Sequence, residues 1–508
     1  MTTPGRPADG HPRRWVILLV LCASLLLIAL DTLVLNLALP MIQTDLAATS
    51  TELQWIVDAY AVTFGALLLP AGNLADRYGR KRMLIVGMLV FLAFSIAAAY
   101  ASDAGTLIAA RGAMGVGAAL IMPSTLAIIK HTFPPGEQAR AIGIWAGTAA
   151  LGIPLGPILG GVLLERFWWG SVFLVNVPIV VVAVVAGLFL VPESKSPRPT
   201  PFDAPGAALA AVGFGGLVFG IVEASRHGWT DPITLGSIAA AVAVLVAFVA
   251  WERRTTHPLL PPELVRERQF SGAAVVVVAV AFGLYGTLFV LTQLLQVVQG
   301  REPVDAGLQL LPIATLVVAA PLGARLVERV GLRATVSAGL VVITTALVVT
   351  AGATAASGLP VLGGVALLGF GMGLAMPSAA NAMLAVAPIG RSGAAAAVTD
   401  TAMQIGGSLG IAVLGSMLTT SYRGGLPEGV TPAAQDSVGV AHTVAADFGA
   451  TPAAGQLVSA ANTAFVGALG DALLAGAVVT GLGAVVAWVV LPARARSSAP
   501  RRATVVRQ

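Results

Sequence analysis

The sequence predicts an all-α polytopic membrane protein with fourteen membrane-crossing helices, arranged as two related six-helix bundles with a two-helix hairpin inserted between them. Three observations predict it. The 508 residues are 57% hydrophobic and only 10% charged, whereas soluble domains carry about 25% charged residues. The apolar residues fall into long unbroken runs near the roughly 20 residues a bilayer helix needs, not the alternating pattern of a membrane barrel. Finally, one set of glycine, proline and charge motifs occurs twice, 252–254 residues apart.

The apolar runs lie at 15–39, 53–74, 83–101, 106–129, 141–164, 170–191, 205–224, 233–251, 271–297, 305–326, 334–355, 359–386, 394–419 and 465–490. Arg13-Arg14 before the first run resembles the start of a signal peptide. That run continues past Asp31 to Leu39, however, which is long enough for an uncleaved first helix. Between runs 2 and 3 lies Gly72-Asn73-Leu74-Ala75-Asp76-Arg77-Tyr78-Gly79-Arg80-Lys81-Arg82, a tight loop with four cations. Such a loop belongs on the cytoplasmic face. With both termini inside, 24 of the 29 Lys and Arg residues fall on the inner side and four, Arg166, Arg226, Arg301 and Arg423, on the outer side; Arg111 is left within a helix. This bias supports an even number of spans and cytoplasmic ends.

The repeat divides the chain. Asp76, Arg77 and Gly79 return as Glu328, Arg329 and Gly331; Gly115, Gly117 and Met122-Pro123-Ser124 return as Gly369, Gly371 and Met376-Pro377-Ser378; Gly152, Gly156 and Gly161 return as Gly406, Gly410 and Gly415. Equal order in both halves is the parallel repeat of one large transporter class. Residues 1–200 form the first bundle, 201–262 the inserted seventh and eighth helices, and 263–492 the second bundle. The outer loop at 421–460 is polar and rich in Ala, Gly and Pro, and reads as a disordered linker rather than a lid. The basic segment 493–508 reads as a cytoplasmic arm on anionic lipid.

Ionisable groups within spans each cost roughly 2.5–3.5 kcal/mol and need a reason. They are Asp31, Asp58, Arg111 and Asp400. At 1.5 Å per residue the first three lie about 8–12 Å below the outer surface. Two carboxylates and one arginine at one level cannot all pair one-to-one, which leaves one acid to take up and release a proton. Asp400 lies in the inner half of its helix, where it could meet a proton or a cation.

The fifth run reads Leu151-Gly152-Ile153-Pro154-Leu155-Gly156-Pro157-Ile158-Leu159-Gly160-Gly161. Gly152, Gly156 and Gly160 share a face and permit close helix contact, and each proline removes a helix hydrogen bond. The spacing predicts a kinked, tightly packed helix sealing two moving halves. Asp76 is expected at the start of the thirteenth helix, near 391–393, where a helix N-terminus attracts negative charge; Glu328 is expected to do the same for the fifth. The alternative for Asp76 is a local pair with Arg80.

Several chemistries are excluded. The single cysteine, Cys22, rules out a disulfide framework or cysteine metal site, and the five histidines show no metal spacing. Gly406-Gly407-Ser408-Leu409-Gly410 matches a hydrolase elbow but sits inside a span with no strand before it. No phosphate loop is present, so the chain is neither an enzyme nor an ATPase and needs no cofactor. The net charge of +5 lies in short loops and reflects topology, not nucleic-acid binding.

These residues resemble the major facilitator superfamily, in particular its fourteen-helix drug:proton antiporters (the EmrB/QacA type). Gly72–Arg82 is similar to the superfamily's signature loop. Leu30-Asp31-Thr32 with Asn36-Leu37-Ala38-Leu39-Pro40 is similar to the subfamily's first-helix motif. Arg111-Gly112 with Gly115-Val116-Gly117 resembles the fourth-helix motif, and Gly152–Gly161 the antiporter motif; Trp55, Tyr60 and Asn176-Val177-Pro178 fit as well. The chain departs at Ala324, where the second loop would carry glycine. The resemblance implies a monomeric transporter in a bacterial plasma membrane, exporting small hydrophobic drugs, dyes or antibiotics against protons. It implies a largely apolar cavity, with Asn36, Trp145, Tyr285, Gln293, Gln296, Asn381 and Gln404 as its polar handles. A dedicated metabolite or siderophore exporter, an importer, and a non-transporting receptor or scaffold are the other readings.

Overall fold

The structure, a computed structural model, describes residues 10–494 apart from 49, 196–202, 257, 261, 302, 355–357, 388–391, 428–429, 432–433, 436–437 and 449–450. The side chains of some helical residues, Asn36 and Pro157 among them, also lie outside the described set. Among the described residues the architecture is helical throughout. The long helices are α1 Arg14–Asp45, α2 Ser50–Tyr78, α3 Arg80–Ala99, α4 Ala104–Thr132, α5 Pro135–Arg166, α6 Asn176–Leu190, α7 Ala204–His227, α8 Pro232–Glu252, α9 Arg268–Gln293, α10 Thr315–Val330, α11 Leu332–Ala351, α12 Leu359–Val386, α13 Ser392–Gly425 and α14 Pro452–Val490. Thirteen membrane-crossing segments are long and apolar enough on their own. The remaining helix, α5, is 32 residues long and carries no charge across 141–164.

The repeat is expressed in the packing. α3 and α4 touch backbone to backbone: a Cβ built on Gly117 would lie 2.8 Å from the Gly87 carbonyl oxygen. Their counterparts α11 and α12 do the same, with 2.6 Å from Gly371 to the Gly339 oxygen. Without hydrocarbon-to-water transfer to drive association, such close packing of small residues is what holds membrane helices together.

Between the halves, α2 packs against α13, and α5 against α10. The second seam is narrow at Gly143 and Gly147, where an added Cβ would meet Ala320 and Leu316 of α10. The inserted α7 lies on the first seam, touching both α2 and α13. Trp55 stacks on Phe219 with centroids 5.9 Å apart, and the Trp229 indole N–H donates to Ser416 Oγ at 3.2 Å.

Two expectations need correcting. The tenth span is not one helix over 305–326: Pro303–Leu310 is followed by a tight 3-10 turn at Leu311–Ala314 before α10 begins. Pro312 supplies the reason, since it has no N–H to donate. The 421–460 segment is not a structureless linker. α13 extends to Gly425, a helix runs Val438–Asp447, and α14 already starts at Pro452. Thr451 caps α14 by accepting from the Ala454 amide at 3.3 Å. Tyr422 Oη donates to the Ala434 carbonyl at 3.1 Å, and His442 shares a 2.8 Å hydrogen bond with Asn462.

Candidate functional site

Asp31 on α1 and Arg111 on α4 form a directly bonded ion pair with 1% side-chain exposure on each. Both Asp31 oxygens and two of the Arg111 nitrogens are engaged. Asn176 Nδ2, at the start of α6, donates to the second Asp31 oxygen at 3.1 Å and to Ser95 Oγ at 3.0 Å. Ser95 Oγ in turn donates to the Phe173 carbonyl at 2.9 Å. Arg111 Nε donates to the Ile56 carbonyl at 3.0 Å, and its guanidinium lies 4.5 Å above the Tyr60 ring. Groups on or beside α1, α2, α3, α4 and α6 thus converge on one acid–base pair. In a low-dielectric interior such a pair persists only with its remaining donors and acceptors satisfied. Asn176 Oδ1 is the exception, buried without a hydrogen bond among the described residues.

Sequence reasoning put two carboxylates near Arg111 and left the choice open. The ion pair is with Asp31; Asp58 is half-buried toward the N-terminal end of α2. Asn176, Tyr60 and Ser95 had no assigned role. Tyr60 and Asn176 were marked only by the family resemblance, and Ser95 only as a polar residue flanked by apolar ones, a weak signal without knowing which helices meet.

In the other half, Asp400 on α13 is 1% exposed. Neither carboxylate oxygen has a hydrogen-bond partner among the described residues. Trp145 is buried with its indole N–H likewise unpaired, while Tyr285, Gln293, Gln296, Asn381 and Gln404 are half-buried. Tyr285 lies against the backbone of Gly407. Gln296 falls in a π-helical turn, Leu294–Val298, that ends α9; such turns recur at functional sites. The expected role of Asn36 lies outside the described residues. A groove of about 510 Å³ follows the N-terminal part of α14, past Ser459, Asn462 and Thr463, away from these residues.

At the loops that follow α2 and α10 the two halves differ. Gly79 turns the chain with φ +111°, and Gly331 with φ +95°. Asp76 is buried; Arg80 reaches its Oδ1 with Nη2 at 2.8 Å and Nε at 3.1 Å. Its other oxygen accepts from the amide of Ala394, in the first turn of α13, at 3.4 Å. The local pair and the cross-half contact expected as alternatives therefore coexist. Gly72 is buried, and Arg77 lies over the Tyr78 ring at 5.3 Å. Glu328 and Arg329 are exposed, and Glu328 has no bonded partner among the described residues. The expected contact from Glu328 to α5 is therefore not made. The position equivalent to Arg80 is Leu332, so no cation four residues on holds the acid inward.

The antiporter glycines also act differently from expectation. Gly152 packs on Ala29 of α1, within its own half, and Gly156 and Gly160 are buried. Gly161 has open space around it. The cross-half contact falls to Gly143 and Gly147, nine and five residues before Gly152. Pro157 lies outside the described side chains.

At the N-terminal ends of α1 and α5, Arg14 grips Glu137 through Nε at 2.6 Å and Nη2 at 3.1 Å. Hydrogen bonding from Arg14 holds the Glu137 carboxyl below its ordinary range, helped by the positive charges of Arg14 and Arg140.

Residues 21–411 match the family model of the Major Facilitator Superfamily. The chain is 37% identical over 469 residues to the multidrug efflux pump LfrA of Mycolicibacterium smegmatis, covering 89% of this chain and 91% of that protein. It is 34% identical over 462 residues to the tetracenomycin C resistance and export protein of Streptomyces glaucescens, covering 90% and 86%. With the puromycin resistance protein pur8 of Streptomyces alboniger it shares 36% over 468 residues, covering 90% and 91%. Among solved structures it resembles the human organic anion transporter MFSD10, with TM-score 0.59 at 15% identity, covering 92% of this chain and all of that one.

Proposed function

The chain belongs to the major facilitator superfamily, and from that premise we infer that it is a drug efflux transporter, exporting hydrophobic compounds, cations among them, against protons by alternating access. The observation that carries the proton exchange is the buried Asp31–Arg111–Asn176 cluster. A proton arriving from outside bonds to an Asp31 oxygen and displaces the Arg111 N–H from it. The guanidinium keeps its Ile56 carbonyl and Tyr60 ring contacts, which lessen the cost of the lost counter-ion. Loss of the proton toward the cytoplasm restores the ion pair. Asp58, nearer the outer mouth, feeds this step.

Asp400 plays the complementary part. An ionised carboxylate without donor or counter-ion is costly in a protein interior. Either a bound proton or the positive group of a substrate removes that cost, so the two compete for one site. Trp145, Tyr285, Gln293, Gln296, Asn381, Gln404 and Asn36 supply polar handles in a mainly apolar path. Gly72, Asp76, Arg77, Gly79 and Arg80 form the cytoplasmic gate. Gly152, Gly156, Pro157, Gly160 and Gly161 shape α5. The working unit is a monomer with both termini cytoplasmic and bundles at 1–200 and 263–492. One charge crossing 100 mV supplies about 2.3 kcal/mol, enough for roughly a 50-fold gradient of a neutral compound.

Dye efflux from a pump-deficient host, with and without an uncoupler, tests this. Wild type is expected to extrude dye until the uncoupler is added, and Asp31→Asn to reach the membrane but not to pump. Uncoupler-sensitive extrusion by Asp31→Asn would overturn the assignment.

A further inference from the structure

We propose that Lys130 is a second gating residue, which with Asp76 clamps the two facing helix ends of the opposite half by charges of opposite sign. The proposal rests on the alternating-access reading and adds a residue to its cytoplasmic gate.

Lys130 lies in the last turn of α4 and its Nζ donates to the carbonyl of Leu384. Leu384 is in the last turn of α12, in the other half. The last four carbonyls of a helix have no partner within it, and that end carries about half a negative charge. The next helix, α13, begins at Ser392, and its first-turn amide at Ala394 donates to Asp76. First-turn amides are the positive end of a helix. The first half therefore sets a cation on the negative end of α12 and an anion on the positive end of α13, on either side of the connection at 387–391.

The clamp is one-sided. Lys130 and Leu384 are 254 residues apart, the offset that relates α4 to α12, so they are equivalent positions of the repeat meeting at the junction. The second half carries leucine where the first carries lysine. Among the described residues no side-chain cation of the second half is seen bonded to the end of α4, and Glu328 is exposed instead of bonded to α5. Rocking the halves apart at this face must break both contacts, and neither can be rebuilt within one half.

The test reads gate opening without transport. Ala387, three residues beyond Leu384, is 2% exposed and serves as a reporter when changed to cysteine in a Cys22→Ala background. Inside-out membrane vesicles present the cytoplasmic face to an impermeant maleimide. Lys130→Met is expected to raise the labelling rate about two- to fivefold, the factor for one charge at a helix end. Lys130→Arg is expected to keep labelling near the Lys130 level. Equal labelling in Lys130→Met and the Lys130 background overturns the proposal, as does an equal rise in Lys130→Arg. Asp76→Asn, measured beside them, is expected to open the same reporter; if only Asp76→Asn does so, the latch has one point and Lys130 is no part of it. Immunoblotting confirms that each variant reaches the membrane. Proton-driven dye uptake by the same vesicles tests the efflux reading separately, since labelling can respond whether or not dye moves.

Discussion

The two halves share a scaffold and divide the charges. Their glycine contacts repeat, Gly117 on Gly87 in one and Gly371 on Gly339 in the other. Their charged residues do not. Arg111 corresponds to Val365, Lys130 to Leu384, Arg80 to Leu332, and Asp400 to Ala146. Helix packing tolerates little change where backbones touch, so the duplicated shape persists. A charge in a bilayer is retained only for a task, and one copy of each task is enough. The first half holds a paired acid and grips its partner; the second holds an acid without a donor and is gripped.

The largest effect should come from breaking the pair on one side of this comparison. In Asp31→Asn the drug gradient is expected to collapse from as much as about 50-fold per proton to none. Arg111 is then left buried without its counter-ion, a loss of roughly 3–5 kcal/mol, visible as a lower melting temperature in detergent. Asp400→Asn should abolish coupling or cation export with the opposite sign on stability. No donor is lost and a costly carboxyl disappears, so its melting temperature should equal or exceed that of wild type. A marked fall in Asp400→Asn stability would mean that Asp400 is paired, and the contrast between the halves would fail.

The gate loops give the next tier. Asp76→Asn strands Arg80 and weakens the hold on α13, so maximal efflux should fall severalfold with little change in apparent substrate affinity. Glu328→Gln should leave efflux unchanged. Leu332 itself is buried, with 1% exposure, so Leu332→Arg would place a charge in the core beyond the Gly331 turn and not beside Glu328. It should lower the melting temperature markedly, since an unpaired buried charge is costly. Thermal melting and initial efflux rates check all three, and equal losses in Asp76→Asn and Glu328→Gln would erase the asymmetry.

Much of this was legible in the chain. Apolar runs gave the helices because a bilayer demands length and continuity whatever the packing. The repeat offset gave the two bundles. Asp31 and Arg111 were visible because charge is rare in such runs. Their mutual pairing was not, since depth along a helix says nothing about azimuth. Ser95 escaped because one neutral polar residue in a span is common, and Asn176 stood out only within a motif, with nothing to say that it meets Asp31. Gly143 and Gly147 were passed over for the denser glycine cluster after them, as spacing shows a shared face but not which helix meets it. Lys130 read as an ordinary loop cation, because its partner is a backbone carbonyl of the other half, and no sequence pattern marks a carbonyl.

The smallest expected effect concerns a contact inside one half, which should be indifferent to the gate. Arg14 and Glu137 tie the N-terminal ends of α1 and α5, with side-chain exposures of 23% and 34%. Such exposed pairs contribute about 0.2–1 kcal/mol. The Glu137 carboxyl is lowered in the folded protein, so its contribution is present above the pKa of the unfolded chain and fades as pH falls through the folded value. Glu137→Gln should thus melt a degree or so below wild type at neutral pH, and the difference should vanish in acid. Raising the salt concentration should shrink it as well. Labelling of the Ala387→Cys reporter should be the same with either residue at 137, because this pair joins helices that move together. A rise in labelling with Glu137→Gln would place the pair in the gate and move the hinge into the first half.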